Sequence, residues 1–154
     1  MKVVIMIGAT GSGKSHYIRH ELPRGARVFS ADDFFTDVRG AYNFDKEKLP
    51  EAHQDCMYRF ISAIHNTALE DQVFVIDNTN VSIAQVAPYI AVARAHRAEV
   101  ELVWMREDRL EVCHGRNVHG APIEVIRLQL RALRYLRDHW PRFWPTPTVW
   151  PPRG

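Results

Sequence analysis

Cysteine, long apolar runs and internal repeats are what this sequence lacks. Its two cysteines, Cys56 and Cys113, stand far apart and form no metal-type cluster. Neither a disulfide framework nor a zinc site organises such a chain, and a reducing compartment, the cytosol, is the expected address. No apolar stretch approaches the ~20 residues of a membrane span, so no membrane partner is expected. The opening MKVVIMI reads as a strand rather than a leader. Low-complexity sequence is missing until the last residues. Net charge is small as well, +2 over 154 residues, with 46% hydrophobic and 25% charged side chains. That balance describes one ordinary globular domain with a core of its own.

The small net charge conceals an asymmetry. Residues 1–105 carry 11 Lys and Arg against 13 Asp and Glu, whereas residues 106–154 carry 9 basic residues, all arginine, against 5 acidic ones. Arginine is suited to bidentate phosphate contact, so a polyanionic partner and a merely solvated basic face are both consistent with this half.

Short apolar runs alternate with helical periodicity. Val3–Ile7, Arg27–Ser30, Val73–Ile76 and Glu99–Met105 read as buried strands. Helices are expected from Lys14 to about Glu21, from near Asp45 through Leu49, Ala52, Cys56, Phe60, Ile64 and Ala68, over 82–97 with a break at Pro88, and over about 108–116 and 122–139. Residues 37–45 read as a turn or small hairpin around Gly40. This alternation predicts an α/β fold, a P-loop NTPase three-layer sandwich with a short parallel sheet of four to five strands and a helical lid. The domain is expected over 1–139, with the lid at about 106–121 and a Pro/Trp-rich tail over 140–154.

Ligands in such sheets sit at the carboxyl ends of the strands, and the candidate chemistry falls there. GATGSGKS matches G-x-x-x-x-G-K-[ST] in full between a strand and a helix. Gly8, Ala9, Thr10, Gly11, Ser12 and Gly13 would turn successive N–H groups onto phosphate oxygens, and the following helix adds its positive end. Lys14 would reach the β- and γ-phosphates and the Ser15 hydroxyl would ligate Mg²⁺, so ATP with Mg²⁺ is the expected cofactor. After the second strand, SADDFF supplies Asp32 and Asp33. One of them is placed to take a proton from an acceptor hydroxyl, or the pair caps the turn at Phe34–Phe35. After the third strand, Asp77 opens DNTN, which reads as a Walker-B-type carboxylate or as capping chemistry for the next helix. Arg109 and Arg116 share one face of a short helix; Arg116 is either a mobile arginine over the γ-phosphate or a solvated C-terminal residue.

In that order, GATGSGKS, SADDFF, VFVIDNTNV and RNVHGAP resemble the P-loop polynucleotide 5′-hydroxyl kinases of bacteriophages. The resemblance is closer to the kinase-like domain of NEDD4-binding-protein-2-type proteins and spans residues 3 to 135. It implies Asp32 as general base, Lys14 and Ser15 as γ-phosphate and magnesium contacts, and Arg116 as the lid arginine that stabilises the transferring phosphoryl group. It also implies Asp33, Asp77 and Asn78 at the acceptor, with Asp77 able to serve the metal instead. Ala31 and Phe35 stand where the phage enzymes carry arginines, the second of which holds an acceptor phosphate, and His119 replaces a second lid arginine.

In the last helix Arg127, Arg131, Arg134 and Arg137 form a stripe beside an apolar stripe of Ile123, Ile126, Leu130, Leu133 and Leu136. The arginines would track a nucleic-acid backbone or simply keep that face solvated. The tail, HWPRFWPTPTVWPPRG, is expected to be extended and polyproline-like, strapping an apolar groove or packing on a second copy of the chain, with tryptophans stacking on bases as the alternative. The resulting expectation is an ATP-dependent kinase acting on a hydroxyl, the 5′-OH of DNA or RNA, so that nucleic acid is the partner. A kinase of a small molecule, nucleoside or modified base is the first alternative, favoured by the missing acceptor arginines. An ATP-binding switch without an acceptor is the second, opposed by the aspartate pair.

Overall fold

The computed structural model describes residues 1–152. Five strands form one fully parallel sheet: β1 (Lys2–Ile7), β2 (Arg27–Phe29), β3 (Val73–Ile76), β4 (Glu99–Met105) and β5 (Thr148–Trp150), in the order β2-β3-β1-β4-β5. β1 is central and pairs on both sides, Val4 opposite Val75 and Glu101. Val3 through Ile7 are fully buried, which is why the run is continuously apolar rather than alternating.

The helices are α1 (Lys14–Glu21), α2 (Leu49–His65), α3 (Ile83–Ala95), α4 (Leu110–Gly115) and α5 (Ile123–Asp138). Odd-numbered β1 residues Val3, Ile5 and Ile7 join Phe60 of α2, Val86 and Ile90 of α3 and Ile126 and Leu130 of α5 in one core. Val4 and Met6 face the other way, onto Tyr17 and Ile18 of α1. Three layers result, with α1 alone on its side.

Several local expectations are corrected. α2 ends at His65, so Ala68 lies beyond it and is exposed. Asp45 caps a separate 3-10 turn, Lys46–Lys48, by accepting the Glu47 amide, and α2 then begins with Pro50 in its first turn. α3 runs unbroken through Pro88, giving up the bond that residue cannot donate while Val86, Tyr89 and Ile90 stay buried around it.

The segment after α5, read as a polyproline-like tail, instead supplies β5, with Val149 registered opposite Trp104. Its tryptophans pack within the chain. Trp140 meets Trp104 edge-on at 6.0 Å and Trp144 at 5.3 Å, while Trp150 meets Tyr17 at 5.6 Å. Trp140→Ala is expected to cost about 3 kcal/mol, the low end for a large aromatic because its indole is only half-buried, and to lower Tm by roughly 6–12 °C. Phe143→Ala, whose side chain is 78% exposed, is expected to stay within about 0.5 kcal/mol in the same melting experiment.

Candidate functional site

The phosphate loop joins β1 to α1. Gly11 and Gly13 have φ of 77° and 102°, left-handed values that glycine reaches without strain. Close approach matters as much. A Cβ on Gly11 would lie 1.9 Å from the Cys113 carbonyl oxygen, and one on Gly8 would lie 2.6 Å from Ser12 Oγ and 2.7 Å from Met105. α1 starts at Gly13 with no side-chain cap, so its first-turn amides are open to an anion. The Ser12 hydroxyl is buried without a hydrogen-bond partner among the described residues, as is fitting for a cradle whose partner is a ligand. Ala9 is buried and Ser15 exposed at the start of α1.

The Lys14 ammonium curls back over the loop, donating to the carbonyls of Gly8 at 3.1 Å and Ala9 at 3.0 Å. Burial pushes its pKa down, and the carboxylates of Asp77 and Asp32 counter that push. Thr10 differs from its expected role: its amide donates to Gln129 Oε1 of α5 at 2.9 Å. Sequence reading overlooked Gln129, which lies between the stripes of α5 and follows no motif.

The Asp32–Asp33 pair divides its duties. Ala31–Phe35 is a 3-10 turn capped by Ser30, whose Oγ accepts the Asp32 amide while Asp33 Oδ2 accepts the Ser30 amide at 3.2 Å. Asp33 is further tied to Arg59 Nη1 at 3.0 Å. Asp33, expected at the acceptor, is therefore the capping residue. Asp32 is left to the cleft, where its Oδ1 accepts from the Tyr42 hydroxyl at 3.2 Å and its Oδ2 stands 3.9 Å from His119 Nε2. Burial and Asp32 push the Tyr42 pKa up to about 12, so Tyr42 stays a donor at neutral pH.

Asp77, half-buried at the end of β3, has its pKa raised by burial and opposed by Lys14. Asn78 is corrected from acceptor contact to internal brace. Its Oδ1 accepts the Ala31 amide at 2.8 Å and its Nδ2 reaches the Tyr89 hydroxyl at 3.4 Å. α3 takes its cap from Ser82 instead, so the DNTN run is not its capping segment.

Across the cleft, α4 carries Arg109 at its start and Arg116 at its end. Both turn toward Glu107, another residue sequence reading missed. Arg109 Nη2 is 2.8 Å from Glu107 Oε2, whereas Arg116 Nη1 stands 3.9 Å away; both side chains are largely exposed. Hydrogen bonds from Arg109 draw the Glu107 pKa down to about 2. A cavity of about 740 Å³ lies between Ser12, Gly13 and His16 on one wall and Arg106, Glu107, Arg109 and Arg116 on the other, with Trp150 and Pro151 at its edge. The tail thus contributes to the wall of the site. Among the described residues no three His, Cys, Asp or Glu side chains cluster as a metal site. Among the same residues no helix is long and apolar enough to cross a membrane.

Gly11→Ala is expected to destabilise the domain by at least about 1–3 kcal/mol, from backbone strain and the collision with Cys113. Gly25→Ala, which meets nothing within 4 Å, is expected to be neutral or gain up to about 1 kcal/mol. Denaturant midpoints of the two variants check the contrast.

Comparisons agree with this architecture. The chain is 30% identical to human NEDD4-binding protein 2 over 154 residues, covering 96% of this chain and 8% of that protein. It superposes on a chain of the Pnkp1/Rnl/Hen1 RNA repair complex with a TM-score of 0.71 at 19% identity, covering 95% of this chain and 48% of that one. A chain of the AvrRxo1-ORF1:-ORF2 complex with ATP gives a TM-score of 0.66 at 18% identity, with 90% and 48% covered. The present chain thus spans less than half the length of each of these relatives. Residues 3–137 match the family model described as AAA domain, and the chain belongs to that family as a P-loop kinase-like domain.

Proposed function

We propose that this domain transfers the γ-phosphate of ATP to the 5′-hydroxyl of DNA or RNA. The observation that carries the reading is the division of labour in the aspartate pair: Asp33 is spent on the cap and Arg59, while Asp32 presents one carboxylate oxygen to the cleft. A nucleotide switch has no use for a free carboxylate beside its phosphate loop. A kinase does, because the attacking hydroxyl must be oriented and must lose its proton.

In this reading the acceptor hydroxyl donates to Asp32 Oδ2, Tyr42 holding the other oxygen. The acceptor oxygen bonds to the γ-phosphorus as the bridge to the β-phosphate breaks, the proton passes to Asp32, and ADP leaves. Lys14 moves from the Gly8 and Ala9 carbonyls onto phosphate oxygens, and the exposed Arg116 swings over the transferring group. Both spread charge that is shared by the equatorial oxygens in a loose transition state. The donor set fits Mg²⁺: a Ser15 hydroxyl and the Asp77 carboxylate are hard oxygen ligands, few in number, as expected where nucleotide phosphates complete the shell. Bound there, the ion would neutralise β- and γ-phosphate charge.

Two features support a polynucleotide acceptor. Arg127, Arg131, Arg134 and Arg137 are exposed along α5, which also reaches the phosphate loop through Gln129. The RNA repair assembly to which one structural neighbour belongs is consistent with it. A small acceptor is the second reading, favoured by the buried Ala31 and Phe35, which offer no cation beside Asp32.

The test is label transfer from γ-labelled ATP with Mg²⁺ to oligonucleotides with free or blocked 5′ ends, in DNA and RNA. Label confined to free 5′ ends supports the reading; label on none, with ATP still bound, rejects the polynucleotide acceptor. Asp32→Asn is expected to slow transfer by about 10²–10⁴, nearer the lower end because the transition state is loose, while ATP affinity barely changes. Equal loss of ATP binding would assign Asp32 to the donor side.

A further inference from the structure

We propose that the acceptor side of the cleft carries an aromatic ledge, Tyr42 and Phe44, that stacks on a nucleobase and so holds a nucleoside with its own 5′-hydroxyl at Asp32. The inference rests on the kinase reading above and names what the acceptor site grips.

The ledge is built into the hairpin that follows the Asp32 turn. Tyr42 pairs with Thr36 as an antiparallel bridge, and Asn43 donates its amide to the Phe35 carbonyl at 2.8 Å. Asp37 Oδ1 closes the tip by accepting the amides of Arg39 at 2.8 Å and Ala41 at 2.9 Å. Held this way, the Tyr42 and Phe44 rings lie nearly parallel, 14° apart with centroids 6.4 Å from each other. Buried Phe35 supports Phe44 edge-on from 5.1 Å. Even so, Phe44 remains 52% exposed, an unfilled apolar surface on an ordered element.

Position gives that surface its meaning. The Tyr42 hydroxyl touches Asp32, so the ledge begins where the reacting hydroxyl must lie. His119, from the loop after α4, lies against the Tyr42 ring, tilted by 48° with centroids 5.1 Å apart, and closes one end of the ledge. A guanidinium that might have gripped an acceptor phosphate is committed elsewhere: Arg59 binds Asp55 at 2.7 Å, Asp33 at 3.0 Å and the Ser30 carbonyl at 2.7 Å. With Arg59 committed, the surface the hairpin offers beside Asp32 is made of flat rings. Stacking on such rings is sequence-tolerant and selects for a base.

Three acceptors with equivalent 5′-hydroxyls test this: an oligonucleotide with an ordinary 5′ residue, the same strand with an abasic 5′ residue, and a free nucleoside. Each is assayed with the wild-type chain, Phe44→Ala and Phe44→Leu, the last keeping apolar packing on Phe35 without a ring face. The wild type is expected to show a KM about 5- to 150-fold lower for the base-bearing strand than for the abasic one, the range that one base–aromatic stack supplies. Both variants are expected to erase that difference by raising the first KM alone, leaving the KM for ATP unchanged. Transfer to the nucleoside as efficient as to the strand supports the ledge and assigns a small acceptor; weaker transfer supports it and assigns a strand end. Equal KM for base-bearing and abasic strands in an active enzyme overturns the ledge while the kinase reading stands. No transfer to any of the three overturns both.

Discussion

Four residues after β3 hold the two halves of the cleft at a fixed separation. Asp77 donates its amide to Phe29 of β2, Asn78 accepts the amide of Ala31, Thr79 accepts the amide of Gly8 and Asn80 donates to the Met6 carbonyl at 2.7 Å. Asn78 and Asn80 are almost completely buried, and leaving such an amide unpaired costs about 1–3 kcal/mol. Asn80 also adopts φ of 49°, a left-handed conformation that asparagine tolerates better than most residues. Through these bonds the phosphate loop and the Asp32 turn are positioned from one segment. Both halves are thus anchored to the same segment, the geometry that in-line transfer would need in the proposed reading.

The charges of the cleft fall into a tight set and a loose one. Lys14 sits between burial, which lowers its pKa, and two carboxylates, which raise it. Asp77 is subject to the opposite pair of effects. Their mutual attraction opposes the loss of charge that burial favours in each. On the lid, Glu107 is drawn down to about 2 by Arg109, so its share of stability is present above its unfolded pKa of about 4.3 and is lost as pH falls towards 2. At neutral pH Glu107 therefore stays ionised. Arg116, at 3.9 Å against 2.8 Å for Arg109, is the more weakly paired of the two arginines.

Most of the sheet was legible because buried parallel strands leave an unbroken apolar signature, as in VVIMI and VFVI. Edge strand β5 left none: three residues among prolines, two of them exposed, look like a tail until β4 is there to pair with. Motif spacing found the phosphate loop for a similar reason, since its chemistry is carried by backbone and glycine. It could not separate Asp32 from Asp33, whose roles are decided by Ser30 and by Arg59, distant in sequence. Gln129 was invisible for the same reason, since it meets the Thr10 amide only when α5 reaches the phosphate loop. Glu107 pairs locally, with Arg109 two residues on, and no motif marks it.

The two halves of the cleft are also built from different materials. The donor half is mainly backbone: glycine turns, an uncapped helix end and carbonyls that park a lysine. Such a half asks little of side-chain identity. The acceptor half is made of side chains on a hairpin and a lid loop, and its composition is free to vary on the same frame. Here that half has traded cations for packing, with Ala31 and Phe35 only 5% exposed and turned into the core. Buried there, they steady the turn that presents Asp32. In the proposed reading, the surfaces left for an acceptor are the rings of the hairpin and the His119 imidazole beside Tyr42.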